Sequence, residues 1–205
     1  MTTAARFEAL GTATVAEACA EARLVLAGLR PIAPGMRVAG PARTVRFPAG
    51  DNLALHHAIA AASPGDVIVA DCGGSIDSGP FGEIMALACK LRGISGLVIN
   101  GAVRDTAEIA ALGFPVFSRG IDIRGTVKRD SGEIDVTVLI GGVRIAPGDM
   151  IVADADAVIA LPGGSVDAAL AAAEARAAKE ALMMERLRAG ETTLQILGLD
   201  KEEPK

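Results

Sequence analysis

Apolar residues in the middle of the chain recur at the spacing of an α-helix. Four of them stand at positions i, i+3, i+4 and i+7 and predict one apolar stripe along a helix: Ile84, Leu87, Ala88 and Leu91. Gly93 follows where such a helix is expected to end. The apolar residues 97–99 then predict a short buried strand, and Asn100-Gly101 predicts a turn after it. A second short helix, ended by Gly113, is predicted beyond this turn.

Two segments of the chain are nearly identical, and each predicts a buried strand. Residues 64–71 read PGDVIVAD and residues 147–154 read PGDMIVAD, so a Pro-Gly turn leads into a continuous apolar run in both. Continuous apolar runs need cover on both faces, so we expect two similarly built strands of one sheet system. Further strands are predicted around residues 114–117, 134–140, 143–145, 150–153 and 157–161.

Helix and strand signals alternate in the amino-terminal third. The sequence Thr14-Val15-Ala16-Glu17 has the form of a capping box and predicts a first helix that runs to about residue 22. Residues 37–47 predict a bent pair of strands that is interrupted at Gly40-Pro41. An apolar helix is predicted over residues 53–61.

An alanine-rich, charged stretch predicts a long C-terminal helix over residues 166 to about 189, with Ser165 as its N-cap. A chain of 205 residues can bury a sizeable core. We therefore expect a single domain over residues 1–190 and a polar tail over residues 191–205. The order of the elements predicts an α/β fold, rich in strands, with helices on one side.

The composition narrows the choice of partners. Apolar residues make up 51% of the chain and charged residues 22%, which is typical of a folded globular protein. With a net charge of -5 and no Tyr or Trp on which bases could stack, no nucleic-acid partner is expected. The mean hydropathy of +0.40 leaves room for a buried interface between identical subunits.

Nothing in the sequence predicts export or a membrane. The first residues lack the basic region and apolar run of a secretory signal, and no stretch of about 18 uncharged apolar residues follows. We therefore expect a cytoplasmic protein with no membrane partner. Cys19, Cys72 and Cys89 are odd in number and lack CxxC spacing, which predicts buried, reduced thiols.

The candidate chemistry lies in the predicted helix–strand–helix unit. Glu83 begins its first helix, and Arg104, Asp105 and Glu108 stand at the start of its second. The pattern Asp-x-x-Glu has the form of a capping box, in which both acids satisfy backbone N–H groups. Next to the donors of Arg104, the same acids are also suitable ligands for Mg²⁺ beside an anionic substrate. Both interpretations are open at this point.

Other site patterns are weak. His56 and His57 are adjacent on a predicted helix and point about 100° apart, so we interpret them as packing or interface residues. Gly73-Gly74 and Gly141-Gly142 lack the further glycine of a dinucleotide fingerprint.

The spacing of the candidate residues is recognisable. Gly82-Glu83, then twenty residues, then Arg104-Asp105, then two residues and Glu108, resembles the signature of the RraA-like family. This family includes a regulator of ribonuclease E and the 4-hydroxy-4-methyl-2-oxoglutarate aldolases. The segments RGISGLVINGAVRD and GFPVFSRG also look like the aldolase branch, and the likeness covers about residues 10–162.

The resemblance implies a three-layer β/β/α fold of the swivelling-domain kind, a trimer or hexamer, and a site at the subunit boundary. It implies a divalent cation, Mg²⁺ or Mn²⁺, and cleavage of a 4-hydroxy-2-oxo acid to pyruvate, with oxaloacetate decarboxylation as a side activity. Carried over by position, the substrate would be held by Gly82, Glu83, Ile84, Met85 and Arg104. The metal would be held directly by Asp105 and through water by Glu83 and Glu108.

The chemistry of the cleavage assigns further roles. Breaking the bond next to the carbinol leaves an enolate of pyruvate, and without a lysine in the motif Arg104 and a metal must stabilise that charge. Glu83, through a water, would remove the proton of the 4-hydroxyl. The alternatives are a non-enzymatic protein that binds a ribonuclease, and an aldolase for a different oxo acid.

Overall fold

The computed structural model describes residues 1–25 and 27–200. Over these residues the helices are α1 (Thr3–Leu10), α2 (Thr12–Ala18), α3 (Leu53–Ala61), α4 (Glu83–Leu91), α5 (Thr106–Leu112), α6 (Val166–Arg188) and α7 (Thr193–Leu197). The strands are β1 (Arg23–Leu24), β2 (Arg30–Pro31), β3 (Val38–Arg46), β4 (Val67–Asp71), β5 (Gly96–Val103), β6 (Val116–Ile121), β7 (Glu133–Ile134), β8 (Val138–Ile140), β9 (Val143–Ile145), β10 (Met150–Ala153) and β11 (Val158–Leu161).

Strand β3 is central to the main sheet. Its residues 38–41 pair antiparallel with β10, and its residues 42–46 pair parallel with β4. The strand order is β1-β11-β10-β3-β4-β5-β6-β2, with β7 also paired to β3, and β8 and β9 form a separate hairpin. The predicted interruption at Gly40-Pro41 is wrong, because the strand is continuous and only its partner changes. Gly40 serves close packing, since an added Cβ would lie 2.3 Å from the carbonyl oxygen of Gly65.

The two near-identical segments form β4 and β10, two strands of one sheet as predicted, and the structure places them on either side of β3. The turn before each strand is held in the same way. Asp66 accepts the N–H of Ser63 at 2.8 Å, and Asp149 accepts the N–H of Ala146 at 3.0 Å. The repeated Pro-Gly-Asp sequence therefore builds the same tight turn twice, each time leading into a buried strand.

Three apolar clusters fill the space between the layers. One lies between strands β3–β6 and helices α3–α5, where the rings of Phe81 and Phe114 stack 6.1 Å apart. A second covers the opposite face of the sheet, under the β8–β9 hairpin. A third lies between β10–β11 and helices α1, α2 and α6. These layers and the 23-residue helix α6 confirm the predicted α/β fold with a long C-terminal helix.

The first helical region differs from the prediction. Helix α1 was not predicted, and α2 begins at Thr12 and ends before residue 22. Asp154, in the loop after β10, accepts both the N–H of Thr12 at 2.8 Å and its hydroxyl at 2.6 Å. The prediction of a cap at Thr14 was wrong because a carboxylate far away in the sequence determines where this helix begins.

Strand β5 is longer than predicted. It continues through Asn100-Gly101 to Val103, so the predicted turn is wrong. Gly101 is required by close packing, since an added Cβ would lie 2.3 Å from the Sγ of Cys72. The amide of Asn100 donates to Asp71 of the neighbouring strand at 2.8 Å. Asn100-Gly101, a dipeptide that is typical of turns, therefore lies within a strand, at a place where the neighbouring strand is very close.

Helix α4 has the predicted extent but a different inward face. Met85, Ala86 and Cys89 are buried, whereas Ile84 and Leu91 are 79% and 80% exposed. Two apolar sets occur at helical spacing in this segment, and periodicity alone does not decide between them. The predicted stripe therefore lies largely on the surface of the described chain.

The C-terminal part of the chain also differs in detail from the prediction. Helix α7 lies within the predicted polar tail and begins with a capping box formed by Thr192 and Gln195; residues 201–205 of that tail lie outside the described residues. Ser165 is the N-cap residue of α6, as predicted, but its side chain makes no capping hydrogen bond because its hydroxyl donates to the carbonyl of Pro162.

All three cysteines are buried and reduced, as predicted. Burial raises the pKa of Cys72 to about 11 and that of Cys89 to about 12, so both remain unreactive thiols at neutral pH. Among residues 1–25 and 27–200, no helix has the length and apolar content needed to cross a membrane.

Candidate active site

Asp105 lies between the starts of α4 and α5. Its backbone has φ 55° and ψ 41°, a left-handed conformation that aspartate and asparagine adopt more readily than most residues. Its Oδ2 accepts the N–H of Glu83 at 3.0 Å, and its side chain does not cap its own helix. The capping-box interpretation of Asp105 with Glu108 is therefore wrong, because this carboxylate caps the neighbouring helix α4.

Gly82 lets the start of α4 approach the two polar side chains of the motif. A Cβ at this position would lie 2.4 Å from Oδ2 of Asp105 and 3.0 Å from Nε of Arg104. The backbone of Gly82 is extended, with φ -146° and ψ -169°, which any residue can adopt. Glycine is needed here for space and not for its conformational freedom.

Arg104 is anchored through its backbone and directs its guanidinium to the same place. Its N–H donates to the carbonyl of Phe81 at 2.9 Å. Its Nε lies 3.6 Å from Oδ2 of Asp105 and is buried without a hydrogen-bond partner among the described residues. An unsatisfied buried donor costs about 1–3 kcal/mol, and more when it is charged. The Arg104 side chain as a whole is 41% exposed, so its other atoms can meet a ligand in a neighbouring pocket.

A pocket of about 190 Å³ opens at these residues. It is lined by residues from four parts of the chain that only the fold brings together: Asn52, His56, Pro80, Gly82, Ile84, Met85, Arg104, Asp105 and Lys128. Five of the predicted site residues are thus gathered in one place. A wider groove of about 580 Å³ beside β1 and β9 contains none of them.

The two predicted glutamates lie at the edge of this site. Glu83 is the first residue of α4 and Glu108 is in the first turn of α5, and both are exposed outside the lining of the pocket. The Met85 amide, predicted to hold substrate, donates to the carbonyl of Gly82 at 3.1 Å. Because the Met85 amide is already engaged in this way, the Ile84 amide is the better candidate of the two for binding a substrate through the backbone.

Asn52 is a pocket residue that the sequence did not single out. It is only 7% exposed, and its side-chain nitrogen donates to the carbonyl of Pro80 at 2.8 Å. Its Oδ1 is buried without a hydrogen-bond partner in the described chain. Asn52 resembles an ordinary helix-opening residue in the sequence, but its side chain does not cap α3 and supports the wall of the pocket instead.

His56 and Lys128 form the wall next to Asn52. His56 is exposed and lines the pocket, so it is not a packing residue of the core, whereas its interpretation as an interface residue stays a prediction. The pKa of His56 is lowered by partial burial and by the positive charges of Lys128 and His57. Its imidazole is therefore neutral at pH 7 and able to accept a proton. Lys128 comes from an irregular segment without any sequence motif, so no local signal could have identified it.

The donors present suit a hard divalent cation. Asp105 has one carboxylate oxygen that is not engaged by Glu83, and its side chain is 39% exposed. Among the residues that the structure describes, no three His, Cys, Asp or Glu side chains converge on one point. Mg²⁺ is commonly held by one or two carboxylates and keeps several waters, so Asp105 supported by the more distant Glu83 and Glu108 fits that ion.

Proteins with related chains have been described. The chain is 38% identical to a protein of Halalkalibacterium halodurans that carries the provisional name 4-hydroxy-4-methyl-2-oxoglutarate aldolase, over 85% of this chain and 83% of that protein. An uncharacterized protein from Pseudomonas syringae superposes with a TM-score of 0.82 at 28% identity, covering 94% of this chain and 91% of the other. The RNA-processing inhibitor RraA from Thermus thermophilis superposes with a TM-score of 0.69 at 28% identity, covering 74% and 92%.

A family model described as RraA-like, Aldolase/RraA, matches residues 12–160, a range that includes every residue lining the pocket. The predicted resemblance is thereby confirmed. This chain belongs to the RraA-like family of aldolases and RraA proteins.

Proposed function

We propose that this protein is a lyase that cleaves a 4-hydroxy-2-oxo acid to pyruvate. One observation carries the proposal: Arg104, whose Nε has no hydrogen-bond partner in the described chain, lines the same small pocket as Asp105. The guanidinium of Arg104 can bind the carboxylate of an oxo acid, and the carboxylate of Asp105 beside it can bind a cation. The provisional aldolase name of the Halalkalibacterium halodurans relative supports the same reaction.

The residues around the pocket then take distinct roles. Arg104 binds the carboxylate and oxo group of the pyruvoyl part and stabilises negative charge that develops on it. The Ile84 amide, at the positive end of the α4 dipole, is the second donor to this part of the substrate. Gly82 and Met85 shape the wall on the same side. Oδ1 of Asn52 offers an acceptor for a substrate hydroxyl.

Asp105 would hold a divalent cation directly, with Glu83 and Glu108 acting through water. When bound, such an ion supplies positive charge next to the developing enolate oxygen. Glu83 is exposed at the start of α4, between Gly82 and Ile84, which both line the pocket. Through that water it removes the proton of the 4-hydroxyl.

The reaction balances without a further reactant. The bond between C3 and C4 breaks, its electron pair remains on C3 as the enolate of pyruvate, and C4 becomes a carbonyl as its hydroxyl loses the proton. The enolate is then protonated at C3. Loss of CO₂ from oxaloacetate gives the same enolate, so Arg104 would also support that side activity.

Lys128 makes the pocket suitable for a substrate with a second carboxylate. It lines the pocket together with His56 and provides a second positive charge besides Arg104. A substrate with a second carboxylate, such as 4-hydroxy-4-methyl-2-oxoglutarate, would place it against Lys128. An aldolase for a different oxo acid with two carboxylates fits the same arrangement.

The test is the release of pyruvate from a panel of 4-hydroxy-2-oxo acids before and after removal of metal. We expect exhaustive treatment with EDTA to abolish the activity and added Mg²⁺ or Mn²⁺ to restore it. Arg104→Lys is the matched variant, since it keeps the charge and removes the planar fork of donors. Full activity after chelation would contradict the role of the metal.

A homotrimer or hexamer is also proposed. Several large apolar side chains, among them the stripe of α4, are exposed on the described chain: Ile76, Ile84, Leu87, Leu91, Ile121 and Ile123. Exposed apolar surface is typical of a subunit interface. Light scattering should give a multiple of the 20.7 kDa chain mass, with concentration measured by refractive index because Tyr and Trp are absent. A single species of 20.7 kDa at micromolar concentration would contradict the assembly.

The structural likeness to RraA keeps a second function open, the contact regulation of a ribonuclease. That function needs no pocket with an unpartnered arginine donor, so the pyruvate assay distinguishes the two. The cytoplasmic location and the lack of a nucleic-acid partner stay predictions.

A further inference from the structure

Asp51 is a buried carboxylate that does not belong to the signature motif of the family. It is 4% exposed, and its two oxygens accept three backbone N–H groups. Oδ1 accepts the N–H of Leu53 at 2.9 Å, and Oδ2 accepts those of Arg129 at 2.8 Å and Asp130 at 3.0 Å. One side chain therefore joins the start of α3 to a segment almost eighty positions later in the chain.

That later segment, residues 122–132, connects β6 to β7 and is otherwise irregular. It is tied to the start of α3 by two backbone hydrogen bonds, from Asn52 to Val127 at 3.1 Å and from Val127 to Gly50 at 2.9 Å. The Asp51 contacts extend this short ladder by two more donors on the far side of Lys128. Lys128 thus lies between a backbone pairing and a carboxylate clamp.

The two joined segments both contribute residues to the lining of the pocket. The start of α3 supplies Asn52 and His56, and the later segment supplies Lys128. The backbone on both sides of Lys128 is held by residues 50–52, so that junction determines where the Lys128 side chain leaves the backbone beside the pocket.

We infer that Asp51 is a positioning residue that holds Lys128 at the pocket and so determines the preference for substrates with a second carboxylate. This inference rests on the proposed function for its substrate preference, but the positioning itself is a property of the chain. Asp51→Asn keeps the size of the side chain. It also replaces one acceptor by an NH₂ group, so at least one of the three backbone donors loses its partner.

The experiment compares Asp51→Asn, Lys128→Ala, the double variant and Asp154→Asn. Asp154 is a matched control because it too is a buried carboxylate that accepts a backbone N–H, from Thr12, but it lies away from the pocket. Two reactions are measured: pyruvate release from 4-hydroxy-4-methyl-2-oxoglutarate, and exchange of the methyl protons of pyruvate with D₂O. The exchange needs the enolate chemistry but no second carboxylate.

We expect Asp51→Asn to raise KM for the dicarboxylate substrate about tenfold and to leave kcat and the exchange rate within about twofold. Lys128→Ala should do the same, and the double variant should be no worse than Lys128→Ala, because the two residues act as one unit. Asp154→Asn should lower the melting temperature and change neither reaction. Equal losses in both reactions, or additive effects in the double variant, would overturn the assignment of Asp51.

A second measurement needs no activity. The chain has only two histidines, so the titration of His56 can be followed by NMR. If Asp51 holds Lys128 near His56, both Asp51→Asn and Lys128→Ala raise the pKa of His56 towards its ordinary value. An unchanged titration in Asp51→Asn overturns the positioning role. If the wild-type protein performs neither reaction, the proposed function fails while this titration still decides the role of Asp51.

Discussion

Replacing Asp105 by asparagine should lower kcat/KM for pyruvate release by about a hundredfold or more while the melting temperature stays nearly unchanged. Asparagine tolerates the left-handed backbone of this position, and its Oδ1 can still accept the N–H of Glu83. The negative charge that a divalent cation requires is lost. A hundredfold loss corresponds to about 3 kcal/mol of transition-state stabilisation. Steady-state kinetics and a thermal melt on the same preparation measure both quantities.

Asp105→Ala is the control for this prediction. It removes the charge and also the acceptor that caps α4, so we expect it to lose activity and about 1 kcal/mol of stability. The comparison separates the role in capping from the role in chemistry. If Asp105→Asn kept both its melting temperature and its activity, Asp105 would be only a helix cap.

Gly82→Ala should also abolish most of the activity, by about a hundredfold, because the added Cβ has no space. It would lie 2.4 Å from Oδ2 of Asp105, a separation that forces the carboxylate or the start of α4 to move. A misplacement of about 1 Å in a catalytic group can cost about a hundredfold in rate. Since Asp105 caps α4 through Glu83, we also expect the melting temperature to fall by a few degrees.

Gly164→Ala is the matched control, because no atom lies within 4 Å of a Cβ built at Gly164. It makes the same chemical change without a steric conflict and should keep full activity. The assignment of Gly82 fails if Gly82→Ala and Gly164→Ala are equally active. A crystal structure of Gly82→Ala would show whether Asp105, Arg104 or the helix has moved.

The local predictions succeeded where short-range chemistry determines structure. The Pro-Gly-Asp turns, the apolar strands that follow them and helix α3 lie where their sequences predict. The predictions failed where a distant group determined the outcome. Asp154 determines where α2 begins, and the Sγ of Cys72 explains the glycine at position 101 within a strand. Neither contact is visible in a window of neighbouring residues.

The candidate site divides in the same way. The sequence by itself identified Gly82, Arg104 and Asp105 as site residues, because the spacing of this motif is specific and its residue types suit an oxo-acid ligand. Only the tertiary structure decided that Asp105 caps a different helix from the one it begins, and that Asn52, His56 and Lys128 line the same pocket. The physical reason is that these contacts join segments far apart in the chain, and their partners are selected by how the helices and the sheet pack.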